Sequence, residues 1–424
     1  MATTLTSAFL ALVFVNLGLK YWLARRHIRH VAANAGKVPP QFADSVSLEA
    51  HHRAAAYTIA KQRMAMLQAS VGAALLLAAT LLGGLQLITD VLGGLLGHGF
   101  AFQFAVVGAV VAIVSVVDLP FEWYRQFRVE QAFGFNRMTP ALFFADTLKS
   151  LALGIALGGP LLAVVLALMA HAGSWWWVYA WLVWAAFTLA LSVLFPVLIA
   201  PLFNRFTPLA DGALRQRIQD LLARTGFTSS GVFTMDGSRR SSHGNAYFTG
   251  LGAAKRIVFY DTLIDRLQPA EIEAVLAHEL GHFRLHHVTK RLLLTLGSSL
   301  VLLALLGWVA RQAWFYRGLG VEPLLDAGND GLALVLFLMV VPVFTFLLAP
   351  LGSLLSRRHE FEADAFAAGL CSPSALVAAL VKLYQDNATT LTPDPIHSTF
   401  YDSHPPASIR IDRLLARARP AGAV

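Results

Sequence analysis

The chain has 424 residues, of which 56% are hydrophobic and only 14% are charged, and its net charge is +8. This composition excludes an ordinary soluble domain, whose surface needs more charge, and predicts a multi-pass membrane protein. The positive charge is expected in loops that face an anionic leaflet, and no cluster of arginines and aromatic residues indicates nucleic-acid binding. The single cysteine, Cys371, excludes an intrachain disulfide and a thiolate-rich metal site.

Seven apolar runs are long enough to cross a bilayer as helices. They lie near residues 4–24, 66–88, 101–120, 149–171, 174–200, 291–312 and 331–355. Runs four and five are also compatible with a re-entrant hairpin. The first run begins without a positive charge and is followed directly by Arg25, Arg26 and Arg29, a pattern typical of an uncleaved anchor whose N-terminus lies outside.

The segments between the runs alternate between basic and non-basic. The segment after run one, residues 121–139, residues 201–290 and the segment after run seven are basic, whereas ITDVLGGLLGHGFAFQ, between runs two and three, contains no lysine or arginine. The positive-inside rule then places the C-terminus in the cytosol. The two polar regions, 203–290 and 356–424, are expected on the cytosolic side as one composite domain.

The predicted fold is therefore mainly α, a polytopic membrane protein with about seven transmembrane helices and a cytosolic-side domain that contains a small β-sheet. Residues 1–202 are predicted to form an N-terminal membrane domain with about five of these helices. Residues 203–424 are predicted to form a second domain, which includes the two further spans at 291–312 and 331–355.

The segment 269–287 is predicted to be a metal-binding helix. Pro269 suits a first helical turn, and Glu271 and Glu273 are favourable near its positive end. His278 and His282 are four residues apart, so their imidazoles share one helix face and can bind one ion. Glu279 can then act as general base on a water molecule, which is the chemistry of the H-E-x-x-H motif. His286 continues the four-residue spacing and is a weaker candidate ligand.

A third ligand is expected after run seven, in SRRHEFEADAFAAGL. Glu360 and Asp364 are four residues apart and share a helix face, so Glu360 can bind the ion while Asp364 orients a ligand histidine through its other ring nitrogen. Spacing alone also allows His359 or Glu362 as the ligand. A solvated charged helix face is the alternative to any metal role for this segment.

The motifs HELGH, EFEAD and SHPP with its following arginine resemble those of the type 1 CAAX prenyl endopeptidases, which are membrane zinc metalloproteases of the gluzincin kind. PFEWYRQFRVEQAFGFNRMT resembles the family's loop after the third span, and SSHGNAYFTG resembles its substrate-edge strand. The resemblance covers nearly the whole chain, and the order and spacing of the motifs are more specific than any one of them.

The resemblance implies one zinc ion per chain, held by His278, His282 and Glu360, with Glu279 as the catalytic base. It implies that Asp364 supports a ligand, and it gives Arg410 the place of the family arginine. His404 matches a histidine that lies near the zinc and could stabilise the oxyanion. The alternative for His404 is a residue that merely precedes a helix start at Pro405 and Pro406.

The stretch NAYFTG, residues 245–250, is predicted to be a strand at a sheet edge, paired with KRIVFY at 255–260. Extended peptides often add to such an edge. Asn245, Ala246 and Tyr247 are therefore candidate substrate-binding residues, and an ordinary hairpin is the alternative.

The predicted function is zinc-dependent hydrolysis of peptide bonds in extended, membrane-associated or CAAX-type substrates. Quality-control proteolysis of damaged membrane proteins is one alternative, and transport with a regulatory metal site is another. The expected partners are a peptide or protein substrate and the bilayer, without nucleic acid. The composition, rich in alanine, leucine and arginine, suggests a bacterial inner membrane, with the endoplasmic reticulum as the alternative. The natural substrate, its prenylation, the cleavage position and the oligomeric state are left open by the sequence.

Overall fold

The computed structural model describes residues 1–250, 255–324 and 328–418, and there the chain is mainly helical. The N-terminal helices are α1 (Ala2–Asn34), α2 (Leu48–Ala79), α3 (Gly84–Leu96), α4 (Phe100–Tyr124), α5 (Pro140–His171), α6 (Trp176–Leu194), α7 (Ala200–Phe203) and α8 (Ala213–Thr225). The later helices are α9 (Asp261–Ile264), α10 (Pro269–Arg284), α11 (His287–Val309), α12 (Ala313–Arg317), α13 (Asp330–Thr345), α14 (Ala349–Leu370), α15 (Pro373–Asp386), α16 (Pro395–Tyr401) and α17 (Ala407–Ala418).

The number of candidate membrane spans agrees with the sequence. In the described ranges six helical stretches are long and apolar enough to cross a bilayer, and the bent pair α2 and α3 makes seven if it is one span. The prediction of a mainly α, polytopic protein with about seven spans is confirmed. The last stretch, Asp330–Leu370, joins α13 and α14 over 41 residues.

The second apolar run does not form one straight helix. Its first part ends α2, and its remainder begins α3, which is inclined by 51° to α2. Gly83 has a φ of +82°, and a Cβ at Gly84 would lie 2.7 Å from the carbonyl oxygen of Ala78, so the chain turns where glycine permits it. Much of the segment 88–103 between the second and third apolar runs is helical as well, because α3 continues to Leu96.

Four described strands form one sheet: β1 (Phe206–Pro208), β2 (Val232–Met235), β3 (Ala246–Thr249) and β4 (Arg256–Tyr260). Their order is β1-β2-β4-β3, with β2 and β4 parallel and the other pairs antiparallel. The predicted pairing of 245–250 with 255–260 is confirmed, with Ala246 opposite Phe259. β3 has no strand on its outer side in the described sheet, so it is an edge strand as predicted.

Helix α10 begins and ends at recognisable signals. Pro269 occupies its first turn, and the Gln268 side chain and the Glu271 side chain form a reciprocal capping box. The helix stops at Arg284, and His286 then adopts a left-handed conformation with a φ of 58°, after which α11 starts. This turn separates the metal-binding helix from the membrane span that follows it.

α10 packs directly against α14 at Gly281. A Cβ at Gly281 would lie 3.0 Å from the Cα of Ala363 and 3.2 Å from its carbonyl oxygen, so the two backbones approach more closely than a side chain allows. Ala363 is fully buried. The glycine in HELGH therefore sets the spacing between the helix that carries the two histidines and the helix that carries Glu360.

Gly281→Ala is expected to destabilise the protein by about 1–3 kcal/mol, because the added methyl group overpacks a backbone contact. The control is Gly297→Ala in α11, where an added Cβ would meet nothing within 4 Å. Thermal unfolding of the detergent-purified variants measures the effect. The packing argument fails if the unfolding midpoint of Gly281→Ala equals that of the wild type.

Candidate metal centre and active site

α10 and α14 bring the three predicted ligands together. His278 Nε2 lies 3.3 Å from His282 Nε2. The carboxylate of Glu360 lies 3.3 Å from His282 Nε2 through Oε1 and 3.5 Å from His278 Nε2 through Oε2. Among the described residues, His278, His282 and Glu360 form a group whose candidate ligand atoms all lie within 4.8 Å of one another.

The distances between these atoms fit a small tetrahedral ion. Metal–ligand bonds of about 2.0–2.1 Å place the ligand atoms of a tetrahedral site roughly 3.3 Å apart. The separations of 3.3–3.5 Å match this value. A donor set of two imidazoles and one carboxylate is also the kind that zinc accepts, with a fourth position left for water or substrate.

The surroundings of the three ligands favour a positive charge. Burial lowers the pKa of His278, but Asp364 and Glu360 raise it more, with a net rise to about 9. Glu360 is buried, and its Oε2 has no hydrogen-bond partner in the described structure, with Arg410 Nη1 3.6 Å away. A metal ion among these atoms would supply both the positive charge and the missing partner for Glu360.

Glu279 follows the first ligand histidine on α10 and is partly buried. Burial raises the pKa of its carboxyl above the ordinary value. A carboxylate with a raised pKa takes and returns a proton more readily near neutral pH than an ordinary one does. Its position and its pKa direction therefore suit a general base.

Asp364 and Arg410 form a buried charged pair behind His278. Asp364 Oδ1 lies 2.9 Å from His278 Nδ1, on the side of the ring away from the ligand nitrogen. Arg410 donates two hydrogen bonds to the same carboxylate, from Nε at 2.9 Å and from Nη2 at 2.7 Å. The guanidinium thus fixes Asp364, and Asp364 fixes the orientation of the His278 ring.

His404 lies at the open side of the cluster. Its Nε2 is 3.5 Å from Glu360 Oε1, and its side chain is 61% exposed. Ser403 Oγ contacts its Nδ1 at 3.0 Å. The imidazole is therefore near the candidate ligands and accessible from outside, as a donor to a bound substrate must be.

The predicted substrate strand lies beside α10. Ala246 and Phe248 pack on the core that contains α10, so the side chain of Tyr247 points to the opposite face, where its hydroxyl is 3.8 Å from Met235 Sδ. Asn245 accepts a hydrogen bond from the Tyr260 amide through its carbonyl oxygen. Substrate contact by residues 245–247 stays a prediction; the alternation of the antiparallel pair turns the backbone of Tyr247 toward β4 and that of Ala246 toward the free edge.

The segment after α4, which continues as a π-helix over Arg125–Glu130 where the resemblance implied a loop, packs with the turn that follows it against the segment that leads into β3. Asn136 forms an isolated antiparallel bridge with Ser241, and Glu130 lies 3.4 Å from His243 Nε2. Tyr57 donates to the other oxygen of Glu130 at 2.6 Å. These two segments, PFEWYRQFRVEQAFGFNRMT and SSHGNAYFTG, are among those that resemble the family. That they lie close together could not be derived from the sequence.

The residues that the sequence left as alternative metal ligands, His286, His359 and Glu362, lie outside the group of three candidate ligands. His286 is exposed and off the α10 face, because the helix ends before it. His287 is buried, with Nδ1 3.0 Å from His282 Nδ1 and Nε2 3.0 Å from Glu362 Oε2. His359 stacks on His287 at 4.0 Å. The sequence reasoning missed His287, and the only signal for it was the HH doublet at the end of the motif helix.

Two family models match the chain, one over its N-terminal half and one over its C-terminal half. Residues 27–205 match the family described as CAAX prenyl protease N-terminal, five membrane helices, and residues 208–418 match peptidase family M48. The first match ends at residue 205, three residues beyond the predicted domain boundary at 202/203, and the second begins at residue 208. The boundary itself stays a prediction.

Individual relatives match most of the chain. It is 37% identical to CAAX prenyl protease 1 of Saccharomyces cerevisiae over 72% of this chain and 70% of that protein. It is 28% identical to the Homo sapiens CAAX prenyl protease 1 homolog over 93% of this chain and 91% of that protein. The crystal structure of S. mikatae Ste24p superposes with a TM-score of 0.90 at 30% identity, covering 98% of this chain and 99% of that one.

Replacing Arg410 with methionine should destabilise the site by about 3–5 kcal/mol, because it leaves the buried Asp364 carboxylate without its charged partner. Arg413→Met is the control on the same helix, since Arg413 is exposed and lies over the ring of Phe361. Thermal unfolding and bound metal per chain are measured for both. Equal losses in the two variants would contradict the role given to Arg410.

Proposed function

The chain belongs to the CAAX prenyl protease 1 family, membrane-embedded zinc metalloproteases with an M48 peptidase domain, and we propose that His278, Glu279, His282 and Glu360 carry its peptide-bond hydrolysis. The observation that carries the proposal is the convergence of the three ligand groups from α10 and α14, with Glu279 next to His278 in the sequence of α10. The alternative of a transporter is not favoured by this family membership, and neither is a quality-control protease of the heat-shock kind.

One zinc ion per chain is proposed at His278, His282 and Glu360. When bound, zinc would polarise the scissile carbonyl and make a water molecule easier to deprotonate. Asp364 holds His278 so that Nε2 faces the site, and Arg410 holds Asp364. The donor set supports zinc over calcium or magnesium, which prefer all-oxygen sites.

The side chains around this site divide the remaining chemistry. Glu279 removes a proton from the attacking water and later delivers it to the leaving amine. His404 donates from Nε2 to the substrate carbonyl oxygen as negative charge develops there. The substrate lies extended along the free edge of β3, with Asn245 and Ala246 beside the scissile bond.

The proposed substrates are membrane-associated peptides or proteins, including chains of the CAAX type, as the names of the relatives suggest. The chain is a multi-pass membrane protein, and its active site is proposed on the cytosolic side. We propose a bacterial inner membrane as its location, on the basis of a composition rich in alanine, leucine and arginine. The relatives named above are eukaryotic and do not support this point, so the endoplasmic reticulum is the alternative.

Glu279→Gln should keep about one zinc per chain and lose peptidase activity, by roughly 100-fold or more, because glutamine can neither accept nor deliver the proton. His278→Ala should lose both the bound zinc and the peptidase activity. Bound zinc is measured by elemental analysis and turnover with a quenched fluorogenic peptide.

Glu273→Gln is the matched control for this experiment, since Glu273 is on the same helix but pairs with Arg217 and Arg224. It should retain both metal and turnover. Near-normal activity of Glu279→Gln would refute the assignment of the base.

The sidedness is tested with introduced cysteines in a Cys371→Ser background. Cysteines at 216 and 415 should be shielded from an impermeant thiol reagent in intact cells, and a cysteine at 324 should be labelled. The reason is that Arg25, Arg26 and Arg29 near the end of α1, and Arg357 and Arg358 in α14, favour the cytosolic side. Labelling at 216 without lysis would overturn this topology.

A further inference from the structure

His287 is placed against the metal centre by a break in the chain. α10 ends at Arg284, His286 takes the left-handed conformation that histidine tolerates better than most residues, and α11 starts at His287. The turn directs the His287 ring back toward α10. Its Nδ1 lies 3.0 Å from His282 Nδ1, and the residue is 4% exposed.

The other nitrogen of His287 is also occupied. Its Nε2 lies 3.0 Å from Glu362 Oε2, and Arg358 donates from Nε to Glu362 Oε1 at 3.0 Å. The ring of His359 stacks on the His287 ring with a centroid distance of 4.0 Å and an interplanar angle of 11°. The His287 ring is thus fixed by contacts from α10 and α14.

These contacts admit one consistent placement of protons when His282 is a ligand. A histidine nitrogen that binds a metal carries no proton, so the neutral His282 ring has its proton on Nδ1. That N–H donates to His287 Nδ1, which must then be the unprotonated nitrogen of its ring. The His287 proton is therefore on Nε2, where it donates to the carboxylate of Glu362.

We propose that His287 and Glu362 are positioning residues for His282. They form a hydrogen-bonded chain from a carboxylate through one imidazole to the ligand imidazole, whereas the carboxylate of Asp364 lies directly beside His278, 2.9 Å from its Nδ1. The proposal rests on the proposed function, because it takes His282 as a zinc ligand. It gives Glu362 a role one step removed from the metal, and it links the first residue of the span α11 to the catalytic centre.

The test compares zinc dissociation constants, measured by competition with a chelator, for variants of the full-length protein. His287→Phe keeps a planar ring but offers no acceptor to His282, so zinc affinity should fall about 10–100-fold. His287→Asn places an amide oxygen near the position of Nδ1 and should recover part of that loss. Glu362→Ala should weaken zinc binding less than His287→Phe does.

Two further variants separate orientation from general structural damage. His286→Asn changes the exposed neighbouring histidine, keeps a residue that tolerates the left-handed conformation, and should bind zinc as the wild type does. The double variant His287→Phe/Glu362→Ala should bind zinc no more weakly than His287→Phe alone, because Glu362 acts through His287. Full additivity of the two losses would overturn the hydrogen-bonded chain.

His282→Ala separates a failure of the zinc-ligand assignment from a failure of the positioning role given to His287 and Glu362. If His282→Ala keeps wild-type zinc affinity, the ligand assignment of the proposed function fails. If His282→Ala loses zinc while His287→Phe and Glu362→Ala bind it as the wild type does, the ligand assignment stands and the positioning role is refuted. Loss in His287→Phe with partial recovery in His287→Asn supports the proposal.

Discussion

The contact between Gly281 of α10 and Ala363 of α14 determines the geometry of the candidate active site. At this point the two backbones are separated by less than the width of an ordinary side chain. Four residues along each helix are one turn apart, so the contact places His278 and His282 opposite Glu360 and Asp364. The two helices come from parts of the chain separated by two candidate membrane spans, α11 and the helix that begins at Asp330.

The charges gathered by this contact are incomplete without a cation. Glu360 and Asp364 are buried, and the buried Arg410 is committed to Asp364 by two hydrogen bonds. Glu360 has His278, His282 and His404 around it. Its Oε2 has no hydrogen-bond partner among the described residues, and Nη1 of Arg410, whose guanidinium it shares with Asp364, lies 3.6 Å away. A buried carboxylate in this condition is costly unless it is paired or binds a metal. The buried charges and the distances between the ligand atoms therefore both support a metal ion at His278, His282 and Glu360.

The sequence predicted those parts that depend on local periodicity. The four-residue spacing of His278 and His282, and of Glu360 and Asp364, fixes which side chains share a face of one helix. The β3–β4 pair was predicted because its strands are close in sequence, whereas the parallel contact of β2 with β4 joins residues that no local pattern connects. His287 could not be placed, because its position depends on a left-handed turn at a non-glycine residue. The bend between α2 and α3 was missed because apolar composition alone does not show where a helix turns.

The two ligand-bearing helices are joined to candidate membrane spans, since α10 is followed directly by the span α11 and α14 continues the stretch that begins at Asp330. α11 begins at His287, five residues after His282, and the stretch Asp330–Leu370 is 41 residues long. About 20 residues suffice to cross the hydrocarbon core, so roughly half of that stretch projects beyond it and carries Glu360 with it. His282 and Glu360 are thus both tied to membrane helices within a short distance of the bilayer surface. A substrate held in the same bilayer shares this plane with the site, which raises its effective concentration there without any additional contact.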